Sequence, residues 1–210
     1  MTLAPLAGCE TFTGGSAGPL ASGGSCAPAD RDIDYGRVRA NPEALSLAIR
    51  EARLGHVDVR RKAGVQSLDP GRDHILIFTW GSFLPGRYSL QANRDRAGDW
   101  TVERVSEGRD DRGGRLPPEQ PSVQRGTLTG EKAAELNRLL ADRCLYAEPT
   151  YYGRTVPTWP TGEATCADGA DSLVEITAGG RTHTSFHACH GYGRPAQVEA
   201  MLWEALQPAP

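Results

Sequence analysis

The densest group of chemistry-bearing side chains is His183, His187, Cys189 and His190, residue types that suit a transition-metal ion. Their spacing argues against one. His183 and His187 fall in a stretch that reads as a strand, and a rise of about 3.3 Å per residue sets them about 13 Å apart. Cys189 and His190 point to opposite faces of such a strand, so no metal ligand is assigned. The next residues, Gly191-Tyr192-Gly193-Arg194-Pro195-Ala196, fit a degenerate dinucleotide fingerprint. A working fingerprint opens a βαβ unit with an acidic residue about 20 positions on, and the residues up to Pro210 hold no such unit. The run reads instead as a glycine-rich turn into a helix. Ser82, in Trp80-Gly81-Ser82-Phe83-Leu84, lacks the spacing of a nucleophile elbow. There is no phosphate-binding loop, zincin helix or CxxC, and the carboxylates form no recognisable acid/base pair. No catalytic residue and no cofactor is expected.

The stretch 147–165 carries Tyr151, Tyr152 and Trp159 among prolines. Large aromatics on a long loop can form a stacking platform for a sugar or peptide. The same side chains can instead fold back and bury themselves as a small second core, and composition leaves both readings open.

The elements that must position these residues are expected between 73 and 207. Ile75-Leu76-Ile77-Phe78 is a short apolar run that reads as a central strand ending at Trp80. Arg87 to Ala92 and Trp100 to Val105 read as two further strands, giving a three-stranded meander. Thr129 opens a helix with Ala133, Leu136, Leu139 and Leu140 on its apolar face. A hairpin follows through Ser172–Thr177, Gly179-Gly180 and Thr182–Ala188. A three-residue loop with a bulge would pair Val174 with Phe186 and Ile176 with Thr184, turning His183 and His187 outward. The last helix, Pro195 to Leu206, buries Val198, Leu202 and Leu206. The fold class expected is α+β: an antiparallel sheet, meander plus C-terminal hairpin, with two or three helices packed on one face.

The chain of 210 residues holds 25 Gly and 15 Pro, many of them in runs that read as linker or long loop. Residues 1–30 read as a leader and flexible spacer, and residues 31–72 as a linker carrying one helix at 41–54, capped by Asn41 and ended by Gly55. Residues 73–207 form a single domain with a disordered polar insertion at 107–126. A net charge of −3 argues against a nucleic-acid binder, whose affinity comes mainly from cations on phosphates. Gly-Arg dipeptides recur without period or clustering, as turns do.

Leu6-Ala7-Gly8-Cys9, followed by the Gly/Ser/Pro stretch Thr11 to Pro28, resembles the lipobox and spacer of bacterial lipoproteins. The resemblance implies cleavage before Cys9, lipidation of its thiol, and a domain tethered to a membrane in the cell envelope, facing the periplasm. Only Met1–Ala7 precede the box, with no basic residue, so it also implies a true start upstream of Met1. Without that upstream start, a cytoplasmic location is expected. Export makes a disulfide the default for the other cysteines, Cys26, Cys144, Cys166 and Cys189. Cys166–Cys189 is the first choice because the two flank the expected hairpin. The function expected is non-catalytic binding of an envelope protein or cell-wall component. The alternative is a periplasmic, hydrolase-type enzyme with its site near the loop 147–165.

Overall fold

A computed structural model describes residue 26 and residues 42–65, 73–81, 86–108, 121–152, 155–158, 162–165, 170–189 and 193–207. The fold is α+β, as expected, but its sheet is larger than a meander plus a hairpin. The strands are β1 (His74–Gly81), β2 (Arg87–Arg94), β3 (Trp100–Glu107), β4 (Ser122–Leu128), β5 (Tyr151–Tyr152), β6 (Thr155–Thr158), β7 (Gly162–Thr165), β8 (Ala170–Ala178) and β9 (Arg181–Cys189). Seven of them form one sheet in the order β4-β3-β2-β1-β8-β9-β5, and β6 pairs with β7 separately. Neighbours in the large sheet run antiparallel except β5, which lies parallel to β9. Meander and hairpin become one sheet because β1 pairs with β8 along its whole length. β4 overlaps the end of the stretch 107–126 expected to be disordered, and its alternation of half-exposed and exposed residues suits an edge strand.

The helices are α1 (Pro42–Lys62), α2 (Gly130–Ala141) and α3 (Gly193–Ala205). They do not share one face. Ile75, Ile77, Leu90, Val102, Val174 and Ile176 pack with Leu136 and Leu140 of α2 and Val198 and Leu202 of α3. On the other side Phe78, Val105 and Leu173 pack with Ala52 and Val59 of α1. The sheet is therefore covered twice. This also explains why α1 runs past Gly55: a Cβ there would sit 2.6 Å from the Phe78 ring. Gly55 is a point of close approach, and the helix stops instead at Gly64, where Val65 N–H bonds Arg60 O and Gly64 N–H bonds Arg61 O in a Schellman arrangement. Among the described residues, no helix is long and apolar enough to cross a membrane.

The β8–β9 register corrects the sequence expectation. Gly179 and Gly180 both have positive φ, 57° and 74°, as a two-residue primed turn requires. Val174 therefore faces Ser185 and Ile176 faces His183. His183, Ser185 and His187 point inward to the α2/α3 side and are buried. The expected register was chosen to put Phe186 in the core, but a sheet covered on both faces buries Phe186 on the α1 side as well.

One disulfide is present among the described residues, Cys26–Cys144, across 118 positions. It ties the far end of the Gly/Ser/Pro spacer to the C-terminal end of α2. Sequence alone leaves this pair without a firm assignment, because Cys26 lies in the spacer and Cys144 near a helix end.

Candidate functional site

At one end of the central strands, Thr79–Gly81 of β1, Gly86–Tyr88 at the start of β2, Arg104, Ser106 and Glu107 of β3 and Ala170 of β8 gather around an open cleft. Its volume is about 270 Å³, at the small end for an organic ligand. Strand alternation divides the lining in two. Thr79, Tyr88, Arg104 and Ser106 stand on the α2/α3 side, with Tyr88 paired to both Thr79 and Ser106, and Trp80, Arg87 and Glu107 stand on the α1 side.

The α2/α3 side is built around Arg104. Its guanidinium lies 4.4 Å from the Trp203 ring centre and 5.2 Å from that of Tyr88, while Nη1 donates to Gln124 Oε1 at 2.9 Å. Two aromatic faces and an amide hold the cation in place. Tyr88 Oη donates to Glu199 Oε1 at 2.8 Å, and burial pushes the Tyr88 hydroxyl above its usual range and raises the Glu199 carboxyl. Thr79 and Ser172 share a hydroxyl hydrogen bond of 2.8 Å. On the α1 side Arg87 donates to Asp58 Oδ2 at 2.6 Å, and Lys62 reaches Glu107 Oε1 at 2.8 Å and Asp58 Oδ2 at 3.2 Å. Hydrogen bonds from Arg61 first, and from Lys62 and Arg87, hold Asp58 down at about 2. Trp80 stacks on Phe78 at 5.4 Å and meets Phe186 edge-on at 5.6 Å. The cleft thus offers aromatic walls, the Arg104 guanidinium and hydroxyls, while Arg87 is already paired with Asp58 and Glu107, a lining that suits an organic body carrying a polar group.

A second cluster lies buried against β9. Ser185 Oγ and His187 Nε2 are 2.9 Å apart, and Tyr152 packs its ring 4.6 Å from that of His187. Tyr152 Oη donates to Glu148 Oε2 at 2.8 Å, Arg194 Nη1 to Glu148 Oε1 at 2.7 Å, and Arg194 Nε to Asp142 Oδ2 at 2.9 Å. The pairing of serine and histidine has the residue types of a nucleophile and its base. Its setting does not. Ser185 and His187 have no exposed surface, burial lowers His187 to about 4, and His187 Nδ1 lacks the carboxylate partner that orients a catalytic imidazole. The network fastens β5, α3 and the turn after α2 to β9. Among the described residues, no three His, Cys, Asp or Glu side chains gather as a metal site.

The residues singled out from sequence are not brought together. Tyr151 and Tyr152 are neighbours on β5, so their side chains leave opposite faces of the sheet. Tyr151 stacks on Phe186 at 6.3 Å and Tyr152 is buried against His187. Cys9, Trp159, Cys166 and the Cys189 side chain lie outside the described residues, as do Ser82 and His190. The cleft residues had one signal in the sequence: after Trp100 and Val102, the same face of β3 continues with Arg104 and Ser106, polar where core is due.

No family model and no curated protein matches this chain.

Proposed function

We propose that this chain is a non-catalytic binding domain of the bacterial cell envelope, lipid-anchored through Cys9, that takes a protein or cell-wall component in the cleft at the end of β1–β3. The carrying observation is the contrast between two sites. The cleft is open, and its cation is already immobilised between Tyr88 and Trp203, so little side-chain entropy is lost when a ligand arrives. The serine–histidine pair is sealed. The anchor rests on the Leu6-Ala7-Gly8-Cys9 box and its spacer, with a protein or muropeptide ligand in the periplasm as its natural partner.

Two experiments test this reading. In the native host a palmitate analogue is expected to label the protein, and Cys9→Ser to abolish the label; an unlabelled wild type removes the anchor. For the cleft, Ala170→Trp fills the space with little disturbance, since Ala170 is half-buried at the start of β8. It is expected to weaken binding of soluble peptidoglycan fragments at least tenfold at an unchanged melting temperature. Unchanged affinity would move the site elsewhere.

The Ser185–His187 hydrogen bond favours a second reading, a hydrolase-type enzyme near the 147–165 loop. It requires the two-residue strand β5 to leave β9. Labelling of Ser185 by a fluorophosphonate would support that reading, and its absence after prolonged exposure would count against it.

A further inference from the structure

The outer face of α1 carries the largest exposed apolar side chains of the described residues. Leu47, Leu54 and Val57 are 44%, 65% and 52% exposed, while the opposite face, Ala52, His56, Val59 and Arg60, is buried on the sheet. These three residues belong to a longer stripe. Glu43, Leu47, Arg50, Leu54, Val57 and Arg61 are all exposed and fall at alternating steps of four and three residues. That is the heptad spacing which keeps one seam along a helix facing a partner helix.

The seam is symmetric about position 52. An antiparallel copy of α1 sets Glu43 against Arg61, Leu47 against Val57 and Arg50 against Leu54, and each pairing occurs twice across a two-fold axis. The end pairs are opposite in charge, with Arg61 also donating to Asp58 Oδ1 of its own helix at 2.7 Å. The next pairs are apolar, and the aliphatic stem of Arg50 can cover Leu54 while its head stays in water. A parallel arrangement would instead oppose Glu43 to Glu43 and Arg61 to Arg61, which is unfavourable. The helix dipoles also prefer the antiparallel arrangement, with the acidic first turn of one copy beside the basic last turn of the other.

We infer that the occupant of this face is a second copy of the chain, docked through an antiparallel α1–α1 pair. Three apolar side chains per copy make an interface smaller than the standard size of a stable complex, so the dimer is weak and reversible. The surface lies on α1, away from the α2/α3 side, and its test is independent of any ligand.

Sedimentation velocity of the full chain up to about 1 mM is expected to show a monomer–dimer equilibrium, with Leu54→Glu raising Kd at least tenfold. Glu43→Arg and Arg61→Glu are each expected to raise Kd about fivefold, since each change is made twice, and the double reversal to restore it. Leu54→Glu, at an exposed position, should leave the melting temperature unchanged, whereas Arg61→Glu also removes the bond to Asp58 and is read on Kd alone. A monomer throughout the range overturns the proposal, including one that instead pellets with anionic vesicles. So does a dimer indifferent to Leu54→Glu, or one that the double reversal fails to restore.

Discussion

Glu103→Ala is expected to destabilise the protein by about 3–5 kcal/mol, the cost of stranding one partner of a buried ion pair. Under α1, Glu103 Oε1 accepts from Arg60 Nη2, and the two side chains are 8% and 1% exposed. Burial holds the Arg60 guanidinium below its ordinary value, and the hydrogen bond to Glu103 pulls it back up. Arg60 Nη1 also donates to Ser89 Oγ at 3.5 Å, leaving the Ser89 hydroxyl to donate to His56 Nδ1 at 2.9 Å. Removing Glu103 leaves a cation buried beside a neutral histidine. Arg60→Ala should cost less, because Arg125 Nε still holds Glu103 Oε2 at 2.8 Å and Arg125 reaches solvent. The double change Arg60→Ala with Glu103→Ala should cost clearly less than the sum of the single changes. Urea denaturation of the four proteins gives the cycle. Single losses below about 1 kcal/mol, or strict additivity, would refute a buried pair.

Acid is expected to unfold the protein through its histidines before its carboxylates. Burial, with a smaller push from Arg60, lowers His56 to about 3, and burial, with a smaller push from His183, lowers His187 to about 4. His183 is lowered as well, again by burial first. In the unfolded chain these imidazoles bind protons near the ordinary 6.5, so below that pH the unfolded state holds more protons than the folded one. Stability should be level above about pH 6.5 and fall as the pH drops towards the folded values. At pH 5 the loss is about 2 kcal/mol for each of His56 and His187, or about 4 kcal/mol together. Glu199 works in the opposite sense, since its raised carboxyl gains stability on protonation. Asp58, Glu107 and Asp142 are all lowered and lose their contribution only at more acid pH. His56→Gln, which can keep the bond to Ser89, should roughly halve the loss between pH 7 and 5, leaving the part due to His187. A melting temperature constant over that range in the wild type would contradict the assignment.

Much of the fold was legible where one periodicity sufficed. Ala133, Leu136 and Leu140 of α2, Val198, Leu202 and Leu206 at α3, and Ile75, Ile77 and Phe78 of the central run are buried as their patterns require. The failures share one cause. α1 packs on the second face of the sheet, and its buried stripe includes His56 and Arg60, residues that no hydrophobic pattern marks as core. With that cover unseen, Gly55 read as a stop signal. The hairpin register was decided by giving Phe186 a core that the α1 side supplies anyway. β4 was read as disordered because an edge strand, with Val123, Arg125 and Thr127 exposed, carries little more apolar character than a loop. The cleft was invisible because it belongs to strand ends from four separate segments. Only the break at Arg104 and Ser106 in an otherwise inward-facing row hinted at it.

The binding role proposed for that cleft is tested most directly by an amide NMR titration of the full chain with soluble peptidoglycan fragments and candidate envelope proteins. Saturable shifts are expected at Trp80, Tyr88, Arg104 and Ser106 and at the indole of Trp203, whose ring packs on Arg104. Shifts centred on β5 and β9 with these residues unmoved, or none at all, would contradict it.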